Sequence, residues 1–249
     1  MSETKTAPAP VMPLFFNRVV GINPALHGGL KLDRGVGYKF AAQTQAVPLG
    51  LGEMDAAAQF YPILFTTGPA PIPVALLGLR EGNNLFVMPD GSWRPECYVP
   101  AYVRAFPFIF VEDTGRNTTF VGIEPDAASL RQDSGVALFE DGQPSRALTE
   151  QVNFSSSLRD NLVAAGLFGR ALEAAGLLSE EEANITFTAG GNARIRGFKL
   201  MLPEKIEQAD DATFLDWRRR GWISAVYAHV HSAGRWARLI DLAANKTGA

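Results

Sequence analysis

The chain has 249 residues, 47% hydrophobic and 20% charged, which supplies a buried core and excludes a disordered protein. Lys and Arg number 23 against 26 Asp and Glu, and a net charge of −3 excludes a general polyanion binder. A single cysteine, Cys97, excludes an internal disulfide and a zinc site of several thiolates, and no apolar run reaches the roughly 18 residues of a membrane-spanning helix.

Residues 1–13 carry one lysine, three prolines and no sustained apolar stretch, so they read as a flexible tail rather than a signal peptide. That reading implies a cytoplasmic protein with Cys97 reduced. From 14 to 140 the pattern is strand-rich. Tyr38, Phe40 and Ala42 alternate with Lys39 and Ala41, and Glu53 to Gln59 reads as a brief helix. Strands are expected at 61–65, 73–79, 84–87, 98–103, 106–111, 119–123 and 136–139. Turn chemistry separates them at Arg80-Glu81-Gly82-Asn83, Asp90-Gly91, 113–117 and Asp141-Gly142.

The remainder, 155–245, is helix-rich. A helix is expected from Ser157 to Ala175 with Gly176 as its stop, then a strand pair at 185–187 and 194–200 around residues 189–192. Further helices are expected at 204–220, ending at Gly221, and at 222–242. No linker or internal repeat interrupts 14–249. The expected architecture is a single α+β domain, with a mainly antiparallel N-terminal sheet and C-terminal helices packed on it.

Catalytic motifs are missing. Gly50-Leu51-Gly52 continues into Asp55 where a dinucleotide fingerprint needs glycine, and no P-loop or Gly-x-Ser-x-Gly elbow is present. Glu96 beside Cys97 would raise the thiol pKa, against a nucleophile. The three histidines are His27, His229 and His231. On one helix His229 and His231 point about 200° apart and cannot chelate one ion, which leaves His27 with His229 and a carboxylate as an iron-type triad. No cofactor is expected, and an enzyme of unrecognised, iron-dependent type stands as the alternative.

Three of the four tryptophans lie between 217 and 236. Seven helical residues advance by 700°, about 20° short of two turns, so Trp222, His229 and Trp236 would form one stripe. That stripe is either core packing or an aromatic groove with an imidazole at its centre. Five arginines against two aspartates in 216–241 include Arg235 and Arg238, a local basic patch suited to a small anion or an acidic protein surface, with nucleic acid ranked below both. In the aromatic block from Trp93 to Phe108, Arg104 is the residue that fits a core least.

The motifs Asn23-Pro24 with His27, Val47-Pro48-Leu49 with Glu53, Tyr61-Pro62-Ile63-Leu64-Phe65, Gly91-Ser92-Trp93 and Tyr98-Val99-Pro100-Ala101-Tyr102-Val103-Arg104, with Gly197-Phe198 and Tyr227-Ala228-His229 later, resemble the SapC family of bacterial proteins in order and spacing. The family name is linked to surface layers and serum resistance, and the resemblance implies genetic association with TonB-dependent receptors and flavin-dependent halogenase-like proteins. It is shared with a peptide-transporter permease, which a chain without spanning helices does not match. The resemblance carries over no catalytic residue. The expectation is a non-catalytic binding or accessory protein of an uptake or envelope system. Its ligand would be a peptide, a protein or a small anion, held by Trp222, His229, Trp236, Arg235, Arg238 and Arg104. A surface-layer structural protein is a further alternative, disfavoured by the lack of an export signal.

Overall fold

Strands from both ends of the chain meet in one five-stranded antiparallel sheet. In the computed structural model, which describes residues 12–113, 118–187 and 191–247, its order is Leu178–Thr186, Asn192–Met201, Ile63–Thr66, Pro73–Leu76 and Ala46–Pro48. Phe198 pairs with Thr66 and Lys199 with Phe65, so the late hairpin completes the early sheet. A second sheet orders Val20–Gly21, Thr118–Ile123 and Phe108–Asp113, again antiparallel, and a third joins Leu130–Arg131, Lys31–Leu32 and Val136–Ala137. Helices dominate the C-terminal part, and the molecule is α+β.

The central element is the 29-residue helix Arg146–Ala174. It begins eleven residues before the expected start because Ser145 caps it, its Oγ accepting from the Leu148 amide at 3.3 Å. Leu148, Gln151, Ser155 and Leu158 then follow at three- and four-residue spacing on its buried face. Gly176 and Gly221 stop their helices as expected, at φ of 67° and 70°, where a side chain would be strained. Tyr61, Phe65, Phe86 and Phe168 are fully buried in the main core, and Leu32, Phe108, Ile123 and Leu138 form a second cluster.

Several expected strands fold otherwise. The run at 38–42 is a turn of 3-10 helix over Lys39–Ala41, and 84–87 keeps a single bridge from Val87 to Trp93. The 98–103 segment is helical over Ala101–Ala105, because Pro100 precedes it and a buried carboxylate receives its first amide. The expected helix 204–220 divides into Pro203–Glu207 and Asp211–Arg220, since Asp210 caps the second piece by accepting from the Thr213 amide at 2.7 Å. The expected helix 222–242 breaks at Ala233-Gly234 into Ile223–Ser232 and Arg235–Thr247. Residues 114–117 and 189–190 of two expected turns, residue 188, and 1–11 of the expected tail lie outside the described residues.

The long helix approaches the loop before Pro73 through Gly169, where an added Cβ would sit 1.9 Å from the Pro71 carbonyl oxygen. Alanine is the better helix former by about 1 kcal/mol, but a backbone clash of this depth outweighs that gain. Gly169→Ala is expected to destabilise the fold by about 1–3 kcal/mol in urea unfolding. Gly166→Ala, whose Cβ meets nothing closer than 3.7 Å, should be neutral or slightly stabilising and serves as the control.

Candidate functional site

A chain of hydrogen bonds runs from the core to the surface through residues distant in sequence. Trp93 Nε1 donates to the Tyr61 hydroxyl at 3.0 Å, and that hydroxyl donates to the Tyr98 carbonyl. The Tyr98 hydroxyl donates to Glu53 Oε2 at 2.8 Å and accepts from Arg104 Nη2 at 3.1 Å. Glu53 is 9% exposed, and its two oxygens also receive the Gly50 amide at 2.8 Å and the Ala101 amide at 2.7 Å. A buried carboxylate persists only when its lone pairs are filled, and here three donors fill them. Burial, then the neighbouring Glu53, pushes the Tyr98 pKa up to about 12, so the phenol remains a donor at neutral pH.

Arg104 is the outward end of this chain. Its Nε donates to the Val99 carbonyl at 3.0 Å, and its guanidinium lies 5.5 Å from the Tyr98 ring centre and 5.0 Å from that of Phe154. Stacking and two committed nitrogens fix the group before any ligand arrives. It lines a cavity of about 950 Å³ together with Arg34, Arg146, Tyr38, Gln151 and Phe154. Arg34 donates to Gln151 Oε1, and Arg146 pairs with Glu150 at 2.7 Å. The cavity's other acid, Asp33, accepts from the Gly35 amide at 2.8 Å and the Ser134 hydroxyl at 3.0 Å. Three cations thus face two acids already engaged. The first turn of the long helix adds the positive end of its dipole.

A family model, SapC, matches residues 22–239. The chain belongs to the SapC family. No curated protein and no solved structure matches it. The match spans both the Glu53–Tyr98–Arg104 chain and every residue lining the arginine cavity of this SapC protein.

Of the residues singled out from the SapC sequence, only Arg104 lies in that cavity. Trp222 and His229 are 6% and 4% exposed and belong to the core, Trp222 against Phe168 and His229 against Phe65. Trp236 falls beyond the helix break, packed on Phe198, so the single stripe does not form. Arg235 donates to the Ala58 carbonyl at 3.3 Å, and Arg238 donates to Cys97 Sγ at 3.2 Å while lying over Phe60. Both fasten the last helix to the body. Burial pushes the Cys97 thiol up against the pull of Arg238, which leaves it a poor nucleophile. His27 Nδ1 accepts from the Asn23 amide at 3.0 Å, whereas His229 Nε2 accepts from the Met201 amide. The triad of the alternative reading is not assembled, and no cluster of three metal-ligating side chains occurs among the described residues. Arg34 and Arg146 escaped the sequence reading. Arg146 did leave a signal, since a cation just after a helix cap opposes the dipole and implies a nearby anion.

Proposed function

We propose that this SapC protein is a non-catalytic binding or accessory protein whose cavity at Arg34, Arg104 and Arg146 takes a small anion with a flat apolar portion. The observation that carries this reading is the fixed posture of Arg104, within 5.5 Å of the Tyr98 and Phe154 ring centres and held from behind by Tyr98 and Glu53. A preorganised guanidinium recognises carboxylate or phosphate with little ordering penalty, and the adjoining rings suit an aromatic or planar body. The absence of Ser, Cys or His from the cavity's described lining supports binding over covalent chemistry. A role beside an uptake or envelope system, with a halogenase-like or TonB-system protein as partner, is part of the proposal and follows from what the resemblance to the family implies. No helix among the described residues is long and apolar enough to cross a membrane, and a cytoplasmic location is part of the proposal.

Calorimetric titration with phenyl phosphate, citrate and inorganic phosphate tests it. Phenyl phosphate is expected to bind tightest, to weaken as salt rises, and to lose about tenfold or more in Arg104→Ala, equivalent to about 1.4 kcal/mol. The Arg235→Ala, Arg238→Ala double variant should bind as wild type. Unchanged affinity in Arg104→Ala, or no binding of any of the three anions to folded protein, rejects the reading.

A further inference from the structure

The strand Phe108–Asp113 is the edge of its three-stranded sheet. Which of its residues face the open side follows from two bonds. The Ile22 amide donates to the Val121 carbonyl, so Val121 directs its main-chain groups toward the Val20–Gly21 strand, and Phe120 and Gly122 direct theirs toward Val111 and Ile109. The Glu124 amide donates to the Pro107 carbonyl, in the same alternation. The amides and carbonyls of Phe110 and Glu112 therefore point to the open side, as do those of Phe108, which at 2% exposed is covered, and no hydrogen bond reaches them among the described residues.

These groups border a groove of about 540 Å³ between the strand edge and the long helix. Phe108, Ile109, Phe110 and Glu112 all line it, which places the strand's edge rather than one face against it. The opposite wall is Leu158, Leu162, Val163 and Gly166, and Val163 is 54% exposed although apolar. Ser155, 2% exposed, also lines the groove, and its buried hydroxyl has no hydrogen-bond partner. Arg159 lies over the Phe110 ring at 4.6 Å, and Arg170 at the far end has no ion pair among the described residues.

We propose that this groove receives an extended peptide segment, which pairs with Phe108–Asp113 as a fourth strand. The segment would set apolar side chains against the helix wall and an acidic side chain on Arg170. The site is separate from the arginine cavity and does not depend on it. An acyl chain would fill the apolar volume but leave the edge-facing groups of Phe110 and Glu112 unpaired, each at the cost of a lost hydrogen bond. Donors and acceptors repeating every second residue are what another peptide strand supplies. Between Ser155 and Arg170 the helix runs about 22 Å, the span of six or seven extended residues.

The test uses the full chain and a labelled nine-residue peptide of alternating valine and threonine ending in two glutamates. Binding is expected to slow hydrogen exchange at the Phe110 and Glu112 amides by at least tenfold. Two versions N-methylated at alternate amides should differ: the one blocked on the edge-facing side loses at least tenfold in affinity, the other little. Gly166→Leu, whose Cβ would meet nothing closer than 3.7 Å and whose side chain would fill the groove, should weaken binding by a similar factor. The proposal is overturned if both methylated peptides bind like the parent. It is overturned equally if the Phe110 and Glu112 amides already exchange slowly in the free chain, because the edge is then covered by this chain or a second copy. Binding of palmitate with no binding of the peptide would also overturn it, in favour of a lipid groove.

Discussion

Glu53→Ala is expected to destabilise the protein by about 3–5 kcal/mol and to abolish anion binding in the same variant. The carboxylate is nearly buried and accepts from two main-chain amides, Gly50 and Ala101, and from the Tyr98 hydroxyl. Truncation leaves three donors without their acceptor, at about 1–3 kcal/mol for each buried group left unmade. The total is less than three full penalties because the loop at 50–53 can relax. For a chain of this length that corresponds to a fall of roughly 10 °C in melting temperature. Binding fails for a separate reason: with Tyr98 released, Arg104 loses one of the two acceptors that hold it between the aromatic rings. Glu53→Gln keeps the shape, but its amide nitrogen must face a donor on one side, so about 2 kcal/mol should be lost. Urea unfolding paired with phenyl phosphate titration reads both effects. A loss below about 1 kcal/mol in Glu53→Ala would show that the carboxylate does not anchor the site.

Periodicity revealed the elements whose side chains alone decide them. The helix stops at Gly176 and Gly221 and the strands at 63–66, 73–76 and 118–123 follow from local chemistry that one segment carries by itself. Helix 101–105 was illegible because its first amide is satisfied by Glu53, 48 residues away. The site divides the same way. Arg104 stood out because a guanidinium fits an aromatic core badly, and the structure gives it two ring faces and an exit to the cavity. Arg34 and Arg146 join it only through contacts across more than 40 residues of sequence. The Trp222–His229–Trp236 stripe assumed one unbroken helix. The break at Ala233-Gly234 removes that geometry, and the remaining members pack inward against Phe168 and Phe65.

His229 carries the pH dependence expected of this fold between neutral pH and pH 4. Burial pushes its pKa down from 6.5 to about 4, and its Nε2 accepts the Met201 amide at 3.0 Å, a bond that protonation would break. The unfolded chain therefore binds a proton between about pH 6.5 and 4 that the folded chain refuses. Stability rises with pH across that window, and acid removes it. Between pH 7 and pH 5 this residue alone should remove about 2 kcal/mol, taking about 1.4 kcal/mol per pH unit below 6.5 and little loss above it. His229→Phe preserves much of the volume, abolishes this part of the pH dependence, and leaves the Met201 amide unpaired at about 1–3 kcal/mol. His229→Ala adds a cavity beside Phe65 and should lose about 3–5 kcal/mol at pH 7. Urea unfolding of the three proteins at both pH values separates these contributions, and phenyl phosphate binding at pH 7 should survive in whatever fraction remains folded. A wild-type stability that stays flat from pH 7 to pH 5 would mean that the imidazole accepts its proton in place. A loss of anion binding in folded His229→Phe would return the residue from the core to the site.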